Sequence, residues 1–155
     1  MLGKLPFKLM QWRIITVGKP GQPWVKEALG QYLKRLERHT RIEHTIIKEG
    51  PLPQVEQNIQ SACAGAHNVL LDERGKTLRS LELARWVEGE EIGGRKRVCV
   101  IIGGANGHSD ALRDWADETW SLSSFTLQHD MALIVMAEQI YRAYSILRGE
   151  PYHRE

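Results

Sequence analysis

The chain has 155 residues, 42% of them apolar and 26% charged, which fits one globular domain with its own core and excludes a disordered or collagen-like chain. No stretch approaches the roughly 18 apolar residues that span a bilayer. The two cysteines, Cys63 and Cys99, form no CxxC pair, which argues against a disulfide framework or zinc site and fits a reducing, cytoplasmic setting.

The net charge of +2 is unevenly spread: residues 1–48 hold ten Lys/Arg against three Asp/Glu, and 49–155 hold eleven against sixteen. A basic first third suits either a polyanion partner or a solvated lysine-rich helix face.

In chain order, "MLGKLPFKLM" (1–10) reads as a ragged extension. It is too short, and too broken by Lys4, Pro6 and Lys8, to be a secretion signal. Residues 11–155 then form a single domain. "WRIITV" (12–17) predicts a strand, and "WVKEALGQYLKRLERH" a helix with Val25, Leu29, Tyr32, Leu33 and Leu36 at helical spacing. "RIEHTII" (41–47) alternates as a strand, and "QVEQNIQSACAG" is a weaker helix closed by Gly65. "NVLLD" (68–72) predicts a short buried strand, "SLELARWVEG" a helix ending near Gly89, and "RVCVII" (97–102) the most apolar strand. After the turn "GGANG" a helix opens at Ser109, a good N-cap, with Asp110 in its first turn. "SSFTL" (123–127) is read as a possible short strand. "MALIVMAEQIYRAYSILRG" is a long helix, closed by Gly149 and stopped by Pro151.

Strands alternating with helices predict an α/β fold with a mainly parallel sheet flanked by helices. Ligands of such sheets bind beyond the carboxyl ends of the strands. That directs attention to Leu71–Asp72, Gly103–Gly104 and the loop near Leu127.

Most motifs fail on inspection. A G-x-G-x-x-G fingerprint would need glycine where Ile102 stands, and the turn follows a late strand. "RGKT" (74–77) lacks the leading P-loop glycine, with Leu70 in its place. Six histidines show no HExxH and no metal spacing, so no metal is expected; His39 and His44 read as solvated. No GxSxG elbow occurs. Trp86, Trp115 and Trp120 read as helix positions packed in the core.

Two features survive. "WSLSSFTLQHD" (120–130) offers hydroxyls and amides for a polar ligand, with Phe125 and Leu127 to cover a ring, or it is an ordinary connection. The end "AEQIYRAYSILRGEPYHRE" places Arg142 four residues after Glu138, a plain ion-pair spacing, and Tyr152 and His153 in a tail that ordinarily frays.

Taken together, "IIGGANG" (101–107), "WSLSSFTLQH" (120–129), "EQIYRAYSI" (138–146) and "EPYHRE" (150–155), with "VGK" (17–19) and "LLDERGK" (70–76), resemble a known family. It is the small SPOUT-class methyltransferases that modify N3 of a pseudouridine in large-subunit ribosomal RNA, the RlmH type. The similarity covers nearly everything after Met10. Gln128 departs from it where proline is frequent, and the region 48–55 is short.

The resemblance implies a C-terminal trefoil knot, with 103–129 threaded into an S-adenosylmethionine pocket. The implied cofactor contacts are Leu71, Gly103, Gly104, Leu122, Ser123, Ser124, Phe125, Thr126 and Leu127. The implied catalytic group is Arg142, Tyr152 and His153, and Lys34, Arg35, Arg38, Arg41 and Arg154 would bind RNA. It further implies a homodimer whose tails complete each other's sites, with the assembled ribosome as substrate and no membrane partner. A non-enzymatic RNA-binding protein of the same fold and a SPOUT enzyme acting on tRNA are the alternatives.

Overall fold

Apolar residues on both faces of a strand call for a sheet covered on both sides. The computed structural model, which describes residues 10–104 and 106–154, has that form. The elements are β1 (Gln11–Val17), α1 (Pro23–Leu36), β2 (Arg41–Ile47), α2 (Leu52–Ala62), β3 (His67–Thr77), α3 (Ser80–Ile92), β4 (Arg97–Ile102), α4 (Asp110–Trp115), β5 (Glu118–Ser121) and α5 (His129–Leu147). The sheet order is β2-β1-β4-β3-β5, with every pairing parallel.

Alternation sorts the strand residues between two cores. Trp12, Ile14, Val69, Leu71, Val98, Val100 and Ile102 pack with α1, α3 and α5. Ile15, Leu70, Cys99 and Ile101 pack on the other face with Val55 and Ile59 of α2 and Leu112 of α4. Met10, grouped with the extension on sequence grounds, is fully buried and its carbonyl accepts from Thr40 Oγ1 (2.7 Å). The rest of that extension, 1–9, lies outside the described residues, as do Ala105 and Glu155.

Within the larger core one polar relay joins three elements. Trp12 Nε1 donates to Tyr144 Oη (2.9 Å), and Tyr144 Oη donates to Glu91 Oε1 (2.6 Å). His39, expected in solvent, is 5% exposed and stacks on Tyr144 with ring centroids 5.8 Å apart. His44 is half-buried against Thr16 Oγ1 (2.6 Å). The basic neighbours that suggested solvent for His39 sit on the outer face of α1; its own ring faces α5.

Three sequence expectations change. The strand expected over 68–72 runs on to Thr77, leaving β5 after Leu71 and rejoining it at Lys76. Gly75 makes this possible: a Cβ there would lie 2.6 Å from the Trp120 carbonyl carbon. The helix after Ser109 ends at Trp115, because the Asp117 backbone N–H donates to Asn68 O (2.9 Å) and its carboxylate accepts from Asn68 N (2.7 Å). Those two bonds latch the chain onto β3 and start a strand, so Trp120 is a strand residue, and 123–127 is loop.

Candidate active site

The excursion within β3 and the loops after β4 and β5 surround a cavity of about 530 Å³, within the roughly 300–1,000 Å³ range of cofactor sites. Of the residues implied by resemblance, Leu71, Gly103, Gly104, Leu122, Ser123, Phe125, Thr126 and Leu127 line it. Ser124 does not; it is exposed on the 122–128 loop. A neighbouring turn explains why: the Phe125 backbone N–H donates to Ser123 Oγ (2.9 Å), leaving Phe125 84% exposed at the rim.

The same cavity has a further wall, formed by the β3 excursion and the start of α4, of which the sequence reading reached only Asp72. Asp72 accepts from the Arg74 backbone N–H (2.9 Å) and from Arg113 Nε (2.9 Å), and Arg113 also holds Asp110 (2.8 Å). Burial is the largest single influence on Asp72 and pushes its carboxyl up. The Arg74 amide and Arg113 guanidinium together outweigh it and hold the group below its ordinary range. His108 Nε2 donates to Leu71 O (3.1 Å), and burial lowers its imidazole below the usual value, which keeps the ring neutral. The strand-end rule points to Asp72 in this wall but gives no sign of Arg74, His108 or Arg113 beside it.

Gly103 is dictated by that imidazole. A Cβ there would sit 2.8 Å from His108 Cε1, so only glycine lets the ring brace the turn. Ser109 caps α4 as expected, accepting from Leu112 N (3.1 Å); its own N–H and hydroxyl are held by buried Glu56.

Arg142, Tyr152 and His153 come together at the far end of α5. Arg142 Nε and Nη2 hold Glu138 Oε1 (2.9 and 2.5 Å), and Nη1 faces His153 Nδ1 (3.1 Å). The guanidinium lies 4.9 Å from the Tyr152 ring centroid, and Tyr152 Oη donates to Glu138 Oε1 (3.1 Å). Burial raises the Tyr152 phenol, helped by Glu138, so it stays protonated. The trio does not line the three-loop cavity of its own chain. His153 borders a second cavity, about 400 Å³, that shares Ser121 and Leu122 with the first.

Lys34, Arg35, Arg38, Arg41 and Arg154 are all exposed. Two are already engaged: Arg38 with Glu150 (3.2 Å), and Arg35 over the Tyr32 and Tyr141 rings (5.5 and 5.7 Å).

The fold, with its cavity bounded by the β3 excursion and the loops after β4 and β5, is that of a methyltransferase: the chain belongs to the SPOUT methyltransferase family, whose model, described as predicted SPOUT methyltransferase, matches residues 10–153. It is similar to the ribosomal RNA large subunit methyltransferase H of Deinococcus radiodurans, 39% identical over 146 residues, covering 94% of this chain and 99% of that one. The protein of the same name from Thermus thermophilus is 38% identical over 151 residues, covering 94% and 99%. Among solved structures, a probable methyltransferase from Bordetella pertussis superposes with a TM-score of 0.60 at 14% identity, covering 88% of this chain and 95% of that one. The tRNA (m1G37) methyltransferase of Aquifex aeolicus gives 0.56 at 13% identity, covering 94% and 75%.

Proposed function

We propose that this chain uses S-adenosylmethionine to methylate N3 of a pseudouridine in large-subunit ribosomal RNA, in the cytoplasm, acting as a homodimer on the assembled ribosome. One observation carries the reading: a three-loop cavity shares the Ser121–Leu122 wall with a groove edged by His153, whose ring is tied to Arg142. The relatives' names, over nearly their whole lengths, support the RNA class.

The cavity fits the cofactor on its own terms. Gly103 and Gly104 contribute backbone to its lining; the hydroxyls of Ser123 and Thr126 supply polar contacts, and Leu71, Leu122 and Leu127 supply apolar ones. The bound cofactor would present an electrophilic methyl group on a sulfonium.

The remaining chemistry falls to the chain. As the N3 imide gives up its proton to solvent water, negative charge spreads to the flanking carbonyl oxygens, and donors fixed beforehand stabilise it. Three of the five N–H groups of Arg142 are engaged by Glu138 and His153, leaving two for a substrate oxygen. A guanidinium only donates, so His153 Nδ1 accepts and its proton sits on Nε2. In that tautomer His153 donates to the base and orients it. Tyr152, its hydroxyl tied to Glu138, presents a ring for stacking.

The dimer is supported by α5, where exposed Met131 and half-buried Ile134, Val135, Glu138 and Arg142 follow one another at helical spacing along a single face. We also infer the family's threading of 103–129. Its support is the path from central β4 to edge strand β5 and back to α5, which packs on α1 and α3.

The test is methyl incorporation from labelled cofactor into assembled ribosomes, free large subunits and tRNA, with the modified nucleotide mapped by mass spectrometry. N3-methylpseudouridine in large-subunit RNA, strongest with assembled ribosomes, is the expected product. Incorporation into tRNA alone, or none while RNA still binds, would sink the reading.

A further inference from the structure

At the amino-terminal ends of β3 and β5, the opposite end of the sheet from the cavity, three half-buried side chains converge: His67, Glu90 at the end of α3, and Glu118. One potential ligand atom from each lies within 4.8 Å of the other two. We propose that they bind a divalent transition-metal ion of the zinc class, through one imidazole nitrogen and two carboxylate oxygens, with water completing the shell. This does not rest on the methyltransfer reading.

The donor set suits such an ion, because imidazole with carboxylates is a borderline-soft combination that zinc, cobalt, nickel and copper accept. The surroundings supply a second, independent indication. Metal-binding histidines usually have their other ring nitrogen directed at a carboxylate, and metal-binding carboxylates are themselves held by donors. Here His67 Nδ1 faces Asp117 Oδ2 at 3.9 Å, and that same oxygen is fixed by the Asn68 backbone N–H (2.7 Å). Glu118 is gripped from both sides: Trp86 Nε1 donates to Oε2 (3.1 Å) and Trp120 Nε1 to Oε1 (3.2 Å). Two indoles thus set the carboxylate plane beside the imidazole.

Without metal, His67 Nε2 and Glu118 Oε2 are hydrogen-bonded at 2.5 Å. Ligands of one tetrahedral ion are about 3.4 Å apart at ordinary zinc–ligand lengths. The pair must therefore open by nearly an ångström, with the metal taking the place of the hydrogen bond. Glu90, which also faces Arg95 (3.6 Å), would swing from that cation to the metal. The bound ion would clip α3 to the sheet edge where β5 is only four residues long.

The two indoles on Glu118 are built-in reporters. The full chain, free of any histidine tag and treated with chelator, is titrated with Co2+ while tryptophan fluorescence and visible absorption are followed. Zn2+ is then used as competitor and in thermal unfolding. The expected result is saturable quenching at one ion per chain, displacement by Zn2+, and a higher unfolding midpoint with Zn2+. Glu90→Gln, which leaves both indole hydrogen bonds to Glu118 in place, should weaken binding about tenfold or more, the scale on which loss of a supporting group acts; His67→Gln should do the same. A folded wild type with no saturable response overturns the proposal. So does saturable binding of equal strength in both variants.

Discussion

Nη1 of Arg142 lies 3.1 Å from Nδ1 of His153 while the other edge of the same guanidinium grips Glu138. A lysine ammonium cannot span both partners, because it lacks the planar fork. Arg142→Lys should therefore cut the methyl-transfer rate by roughly 10²–10³-fold, the loss typical of one preorganised donor, with cofactor affinity unchanged. Single-turnover kinetics beside calorimetry of cofactor binding checks this. A lysine variant of full activity would remove Arg142 from the mechanism.

Gly75 has no room for a side chain: its Cβ would stand 2.6–2.7 Å from backbone atoms of Thr119 and Trp120. Gly75→Ala should destabilise the fold by roughly 1–3 kcal/mol through forced backbone shift, and weaken cofactor binding because the Asp72–Arg74 wall moves with it. Gly30→Ala is the control. Its Cβ would meet nothing within 4 Å inside α1, so it should stabilise by roughly 0.5–1 kcal/mol. Thermal unfolding of the two variants should shift in opposite directions.

Acid should destabilise the protein in a defined window. Burial holds the His44 and His108 imidazoles below their ordinary value. Below about pH 6.5, where the unfolded histidines begin to protonate, the unfolded chain binds more protons than the folded one. The stabilisation is thus complete above that value and is lost as pH falls toward the folded-state values. Unfolding midpoints should be flat from about pH 8 to about pH 7 and fall by about pH 5.5; His108→Gln should flatten the fall. Asp72, held below its ordinary range, adds a separate loss at much lower pH. A midpoint unchanged down to about pH 5.5 would contradict this.

RNA affinity should register the basic residues unequally. Arg41, exposed at the start of edge strand β2, should lower the salt slope by about one when changed to alanine. Arg38→Ala should lower it less, since its guanidinium is already paired with Glu150. Anisotropy titrations across salt concentration distinguish the two, and equal slopes would refute the difference.

The sheet was readable where a strand carries its own pattern. β4 is apolar on both faces and β2 alternates, and both match the expected limits residue for residue because a clear break stands at each end. The continuation of β3 was not readable. Glu73, Arg74, Lys76 and Thr77 are polar and exposed, and what makes them strand is the passage of Gly75 against β5, a contact between distant residues. Trp120 was read as helical because an aromatic residue packs as well on a helix as on a strand; the Asp117–Asn68 latch decides the matter. The 122–127 run was expected to line the cavity throughout, and the turn held by Ser123 leaves Ser124 outside it. His67, Glu90 and Glu118 escaped notice because their spacing fits no local motif.

The Trp12–Tyr144–Glu91 relay sits only two residues from Arg142 on α5. Its bonds reach the first strand and the third helix at once, so the helix bearing the guanidinium can neither slide along the sheet nor roll about its axis without stranding a buried hydroxyl. The aim of the end proposed to meet the substrate is thereby set from the floor of the molecule, by groups remote from it.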